Sequence, residues 1–270
     1  MEQLSLSGTA YELAGPVDAP VVTLIHGLGL SRQITWEKYV PALANRYRVL
    51  IYDLSGHGQS ALPTKKPSLT VLAEQLGELL DELGIAQTSL VGFSLGGMIN
   101  RRFAIDNPGR CNALAILNSP HEREPHAQRL AETHAAQSEG GGPAATIDAA
   151  LERWFTSEFN ASHPSTVQRV RETVLANNPG NYALHRQVLA SGVTELIRPQ
   201  PALNIPSLVA TCEFDSGSTP AMTEAIASEI SGASSLIVPG LKHLGLLERP
   251  ELFLEPLLTF LDQYSARSTA

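Results

Sequence analysis

Six apolar runs of strand length recur along the chain with helix-like stretches between them: VVTLIH (Val21 to His26), YRVLIYD (Tyr47 to Asp53), TSLVGF (Thr88 to Phe93), ALAILNS (Ala113 to Ser119), SLVAT (Ser207 to Thr211) and SSLIV (Ser234 to Val238). They are continuous in their apolar character, without the in-out alternation of a half-exposed strand. Strands buried on both faces and joined by helices imply a parallel sheet covered on each side. Between two of these runs, Leu72, Leu76, Leu79, Leu80 and Leu83 fall at helical spacing and Gly84 supplies a stop. The opening LSLSGTAYEL reads instead as an antiparallel hairpin turning near Ser7-Gly8. At 270 residues, one large α/β domain with an insertion accounts for the length.

The rhythm breaks between His121 and Gln200, where helical segments follow one another without a buried strand. A helical cap inserted after the sixth strand is the simplest account, with residues 1–120 and 201–270 forming the core and 121–200 the lid. Gly140, Gly141 and Gly142 offer the lid a flexible joint. Arg123, Glu124, Arg129, Glu132, Arg153 and Glu158 are expected on its solvated faces, and some of Trp154, Phe155 and Phe159 on its inner side, as lid core that can also meet substrate. Trp154 and Phe155 are therefore candidate substrate contacts.

GFSLGG (Gly92 to Gly97) stands where a buried strand turns into a helix. A sharp strand-to-helix turn at Ser94 would strain its backbone and crowd the positions two residues to either side, which Gly92 and Gly96 relieve. The hydroxyl then projects above the sheet edge at the positive end of a helix running from Leu95 to about Asn107. A serine needs a base, and the base an orienting carboxylate. His243, after the last strand, and Asp215, after SLVAT and ahead of a turn-forming Ser-Gly pair, both leave carboxyl ends of strands, where ligands bind in open α/β sheets. Asp215 is preferred to Glu213, which lies closer to the strand. The N–H of Leu95 and that of Leu28, in the HGLGL loop, are the candidate donors to an oxyanion, while His26 is expected to brace that loop.

HGLG, DLSGHGQS (Asp53 to Ser60), GFSLGG and the EFD and GLKHLG segments, taken together, resemble the α/β-hydrolase superfamily over nearly the whole chain, most of all its esterase, 3-oxoadipate enol-lactonase and cofactor-free haloperoxidase branch. The cap segment NNPGNYALHRQVLAS is similar to that of the same branch. The resemblance implies a cofactor-independent, metal-free carboxylic-ester hydrolase with Ser94, His243 and Asp215 as its triad. Serine at position 94 disfavours the related dehalogenases and epoxide hydrolases, whose nucleophile is a carboxylate. Ser55 stands where many relatives have arginine, which puts the bracing of its turn in question, and Cys212 where they often have glycine, which does the same for the path of the acid loop.

The net charge of −8 opposes binding to a phosphate backbone. The chain has neither a leader-like start nor a run long enough to span a bilayer, so a cytoplasmic protein is expected. Cys111 and Cys212 lack metal or redox spacing and read as buried free thiols. His121, His126 and His134 share no helical face and are expected in solvent; His57 belongs to a turn, and His163 and His185 to the cap. The expected reaction is hydrolysis of a small or medium acyl ester or lactone. By family likeness the substrate narrows to an anionic lactone such as 3-oxoadipate enol-lactone, in which case Arg123, Arg129, Arg153 or Arg186 should line the pocket. C–C bond cleavage, cofactor-free perhydrolysis and, in a different class, a small-molecule receptor share the same machinery. The sequence leaves a homo-oligomer open.

Overall fold

The computed structural model describes residues 3–265. Eight strands form one sheet in the order β1-β2-β4-β3-β5-β6-β7-β8. These are β1 (Gln3–Leu4), β2 (Ala10–Ala14), β3 (Val21–Ile25), β4 (Arg48–Tyr52), β5 (Thr88–Phe93), β6 (Cys111–Leu117), β7 (Ser207–Cys212) and β8 (Ser234–Val238). The first two form the expected hairpin, with Gly8 at φ +80°, and β2 joins β4 antiparallel. From β4 through β3 and β5 to β8 every pairing is parallel. The all-apolar runs at the centre are buried along their length: every residue of β5 and β7 is inaccessible to solvent or nearly so.

The helices are α1 (Arg32–Trp36), α2 (Val40–Leu43), α3 (Leu69–Glu82), α4 (Leu95–Asp106), α5 (Pro125–Gly141), α6 (Ile147–Trp154), α7 (Ser157–Ser162), α8 (Pro164–Leu175), α9 (Pro179–Ser191), α10 (Pro220–Glu229), α11 (Gly245–Glu248) and α12 (Glu251–Tyr264). The leucine stripe of α3 is buried against α4, which itself packs on β5 and β6. Ser68 caps α3 by accepting from the Val71 N–H at 3.1 Å, and Gly84, at φ +66°, ends its run. Among the described residues no helix is long and apolar enough to cross a membrane.

Helices α5 to α9 lie between β6 and β7 and form the helical cap, with α5 packed on α9 and α6 on α8. Val170, Val174, Phe155 and Phe159 join the apolar core of the sheet domain. The glycine run behaves differently from its sequence expectation at one position. Gly142 (φ +58°) is buried, and a Cβ there would stand 2.6 Å from Cβ of Pro179, the first residue of α9. It forms a packed corner, which no other residue fits, and not a loose joint.

Candidate active site

The loops that carry the sequence-predicted residues leave the carboxyl ends of β3, β5, β6, β7 and β8, so adjacent strands deliver them to one rim. Ser94 follows β5 at φ +55°, ψ −112°, a region costly for a residue with a side chain. A Cβ on Gly92 would strike the Gly96 carbonyl, and one on Gly96 the carbonyl of Ile25, so only glycine lets the turn close. The Ser94 N–H donates to the Leu117 carbonyl (2.8 Å), which ties the turn to the end of β6.

His243 bridges the hydroxyl and the carboxylate. Its Nδ1 lies 2.6 Å from Asp215 Oδ2 and its Nε2 3.2 Å from Ser94 Oγ. With Nδ1–H donating to the acid, Nε2 is left to accept from the serine hydroxyl. The Phe93 ring lies 5.0 Å from the imidazole. Asp215 is 2% exposed and fully partnered: Oδ1 accepts from the Gly217 and Ser218 amides (2.9 and 3.0 Å), Oδ2 from Asn118 Nδ2 (3.0 Å). Burial alone would raise this carboxyl; the charge and hydrogen bond of His243, with the bonds from Asn118 and Gly217, outweigh it and hold the group below the usual carboxylate range. Glu213, the alternative acid, is exposed and accepts from the Gly240 N–H (2.9 Å).

Asn118 escaped the sequence reading. It ends the ALAILNS run at φ +47°, a conformation asparagine tolerates, and besides Asp215 its amide approaches Thr211 Oγ1 (3.3 Å). An asparagine directly after a strand at this rim was the available signal.

The loop after β3 is braced as expected. The Leu54 N–H donates to His26 Nε2 (3.0 Å), and His26 Nδ1 lies 2.8 Å from the Gly27 carbonyl. The next turn, which lacks the family's arginine at Ser55, is held otherwise: Gln75 accepts from the Ser55 N–H (3.0 Å), and the Asp53 carboxylate binds Arg32 and the Gln59 amide. Leu28 lines the cavity beside Ser94. Leu95 opens α4, and its N–H is among the first-turn amides that no carbonyl of the helix can reach.

Above this rim lies a cavity of about 270 Å³. Its floor includes Leu28, Ser94 and His243, and its roof comes from α5, α6 and α9. Trp154 lines it, 6.4 Å from the His243 ring. Phe155 does not; it turns the other way, is fully buried and stacks on Phe159 at 5.2 Å. Arg123, Arg153, Arg186 and His134 also border the cavity, whereas Arg129 lies outside it. The expectation of solvated faces thus holds for Glu124, Arg129, Glu132, Arg153 and Glu158, Arg153 bordering the cavity while staying exposed, and fails for Arg123, which is half-buried. Burial and the neighbouring Arg186 lower the Arg153 guanidinium from its ordinary value, and burial with both arginines depresses His134. His121, expected in solvent, is buried with Nε2 3.0 Å from Glu229, while His126 is exposed.

His57 and His185 meet at the boundary of floor and cap. Their ring centroids are 4.8 Å apart, His26 lies 5.4 Å from His57, and all three are buried. Cys111 and Cys212 are free thiols, Cys111 half-buried and Cys212 buried. Cys212 packs beneath the histidine loop so closely that a Cβ on Gly245 would stand 2.5 Å from its sulfur, and burial pushes the thiol up to about 12.

Residues 20–250 match the family model described as alpha/beta hydrolase fold. The chain belongs to that family. Its Ser94, His243 and Asp215 have the arrangement of a serine hydrolase. The chain is 28% identical over 244 residues to 3-oxoadipate enol-lactonase 2 of Acinetobacter baylyi, covering 90% of this chain and 89% of that protein. It is 30% identical over 204 residues to a candidate carbamate hydrolase of Stutzerimonas stutzeri, covering 74% and 76%. Among solved structures, the enol-lactonase of Burkholderia xenovorans LB400 superposes with a TM-score of 0.85 at 26% identity, covering 94% of this chain and 97% of that one.

Proposed function

We propose that the protein hydrolyses a carboxylic ester or lactone of small or medium size through an acyl-enzyme. The carrying observation is the relay from Asp215 through His243 to Ser94 Oγ, open to the cavity. Ser94 attacks the carbonyl carbon while His243 Nε2 takes its proton. Negative charge gathers on the carbonyl oxygen, which the Leu28 and Leu95 N–H groups hold, each such donor lowering the barrier by about 3 kcal/mol. His243 then delivers the proton to the leaving oxygen. Water, deprotonated by the same imidazole, releases the acid and regenerates Ser94. Asp215 keeps Nδ1 protonated throughout and stabilises the imidazolium. Residues 1–120 and 201–270 serve as the catalytic core in this reading, and 121–200 as its cap.

Ser94→Ala, checked for an unchanged fold by circular dichroism, is expected to lower kcat on p-nitrophenyl acetate by at least about 10⁴-fold. Turnover at the wild-type rate would remove the mechanism.

A narrower reading, a carboxylate-bearing substrate such as an anionic lactone, is favoured by the three arginines that face the cavity. Among the described residues Asp215 is the one carboxylate lining it, and that group is committed to His243. The relatedness to enol-lactonases points the same way.

A further inference from the structure

His243 is gripped by the cap on both sides. Before it, Lys242 Nζ donates to the Glu152 carbonyl (2.8 Å); after it, the Leu244 N–H donates to the Trp154 carbonyl (2.9 Å). Further on, the Glu248 carboxylate accepts from both the N–H and the hydroxyl of Thr156, each at 2.7 Å. All the cap partners fall in the last turn of α6 and its exit. Helices end with carbonyls that lack intrahelical partners. Here two of them are satisfied by the histidine loop, and the Thr156 N–H, which would otherwise continue the helix toward Glu152, is captured by Glu248. On its other side α11 is held by the core, where Tyr39 Oη donates to the Leu246 carbonyl (3.1 Å).

We propose that Thr156 and Glu248 are positioning residues for proton transfer, tying α11 to the end of α6 so that the His243 ring stays within reach of Ser94. This rests on the triad reading above. The Asp215 bond restrains only Nδ1, and a ring held at one atom can pivot. The Ser94 to Nε2 distance of 3.2 Å is the longer of the two relay contacts, so beyond the packing of Phe93 on the ring, its placement depends on the main chain around residue 243. The cap holds that main chain at the Leu244 N–H, and through Thr156 and Glu248 at the helix that follows. The cap is therefore part of the reaction centre along this edge, and it cannot swing away there without taking the base with it.

The test compares Thr156→Val, Thr156→Ser, Glu248→Ala and the Thr156→Val/Glu248→Ala double variant, each assayed on p-nitrophenyl acetate well below its own Tm. Thr156→Val and Glu248→Ala are expected to lower kcat about tenfold with KM held within about twofold, since small displacements of a reacting group act on the chemical step. The double variant should be no slower than the slower single one, and Thr156→Ser should recover most of the rate. Hydrogen exchange at the Leu244 amide should quicken in both losses. Faster exchange with unaltered kcat, a rise in KM alone, or unaltered exchange would each overturn the positioning role. A Ser94→Ala protein that stays active would instead overturn the triad itself.

Discussion

The floor and the roof of the cavity are built by opposite means. On the floor, position is set by main chain: glycines that admit no Cβ, a serine forced to positive φ, and an aspartate whose oxygens are occupied by His243, two backbone amides and Asn118. The roof is set by long side chains. Its three arginines have no carboxylate ion-pair partner among the described residues; Arg186 Nε is buried without a hydrogen-bond partner, and Arg123 and Arg153 bond to main-chain carbonyls. The floor is preorganised for one chemical event, whereas the roof carries charge that a ligand can still complement.

Breaking the floor should have the largest effect. In Asp215→Asn the side-chain oxygen must face the Gly217 and Ser218 amides, which leaves an NH₂ toward His243 and toward the donating Asn118. The imidazole is then driven to the tautomer that cannot take a proton from Ser94, and kcat is expected to fall by about 10⁴-fold with a near-normal Tm. A loss below about tenfold would mean that the floor is less preorganised than its bonding implies.

The seam between floor and roof should come next. Burial pushes His185 down to about 4, and His57 and His26 are depressed by burial as well, His26 against the opposing pull of Asp53. A histidine neutral in the fold but free to protonate when unfolded contributes its full stability above its ordinary value near 6.5. That contribution is lost as the pH falls toward 4. For His185 alone the loss is about 3 kcal/mol. Urea unfolding at stepped pH should show it, and His185→Leu should flatten the slope between pH 6.5 and 4. An unchanged slope would remove His185 as its source.

The roof itself should give the smallest change. Arg153→Gln and Arg186→Gln are each expected to lower, by about tenfold, the ratio of kcat/KM for mono-p-nitrophenyl glutarate to that for p-nitrophenyl valerate. A ratio unmoved by both would show that these guanidinium groups do not meet the substrate's carboxylate, and that floor and roof differ in build but not in what they do.

The same contrast explains what could be read from the sequence. Ser94, Asp215 and His243 were legible because each lies in the loop that follows a continuous apolar run, and parallel strands carry such loops to one rim. The glycines at 92 and 96 announce their own steric reason. Asn118 was hidden because its contribution depends on a backbone angle and on a partner 97 residues away. In the cap, spacing marks the apolar positions that are buried but neither what they meet nor which polar side chains join them. Trp154 and the adjacent Phe155 face different surroundings, one the cavity and the other the core, and Arg123, which reads as solvated, is half-buried at the cavity. His121 looked exposed because its partner, Glu229, belongs to a helix beyond the cap.

One consequence concerns Cys212. A thiol that stays protonated at neutral pH reacts slowly with peroxides and alkylating agents, because the thiolate is the reactive species. Its sulfur is also buried against Gly245 and lies outside the cavity lining, so this thiol is a poor competitor for an electrophile that reaches Ser94. A covalent probe admitted to this pocket should therefore mark Ser94 and leave Cys212 unlabelled.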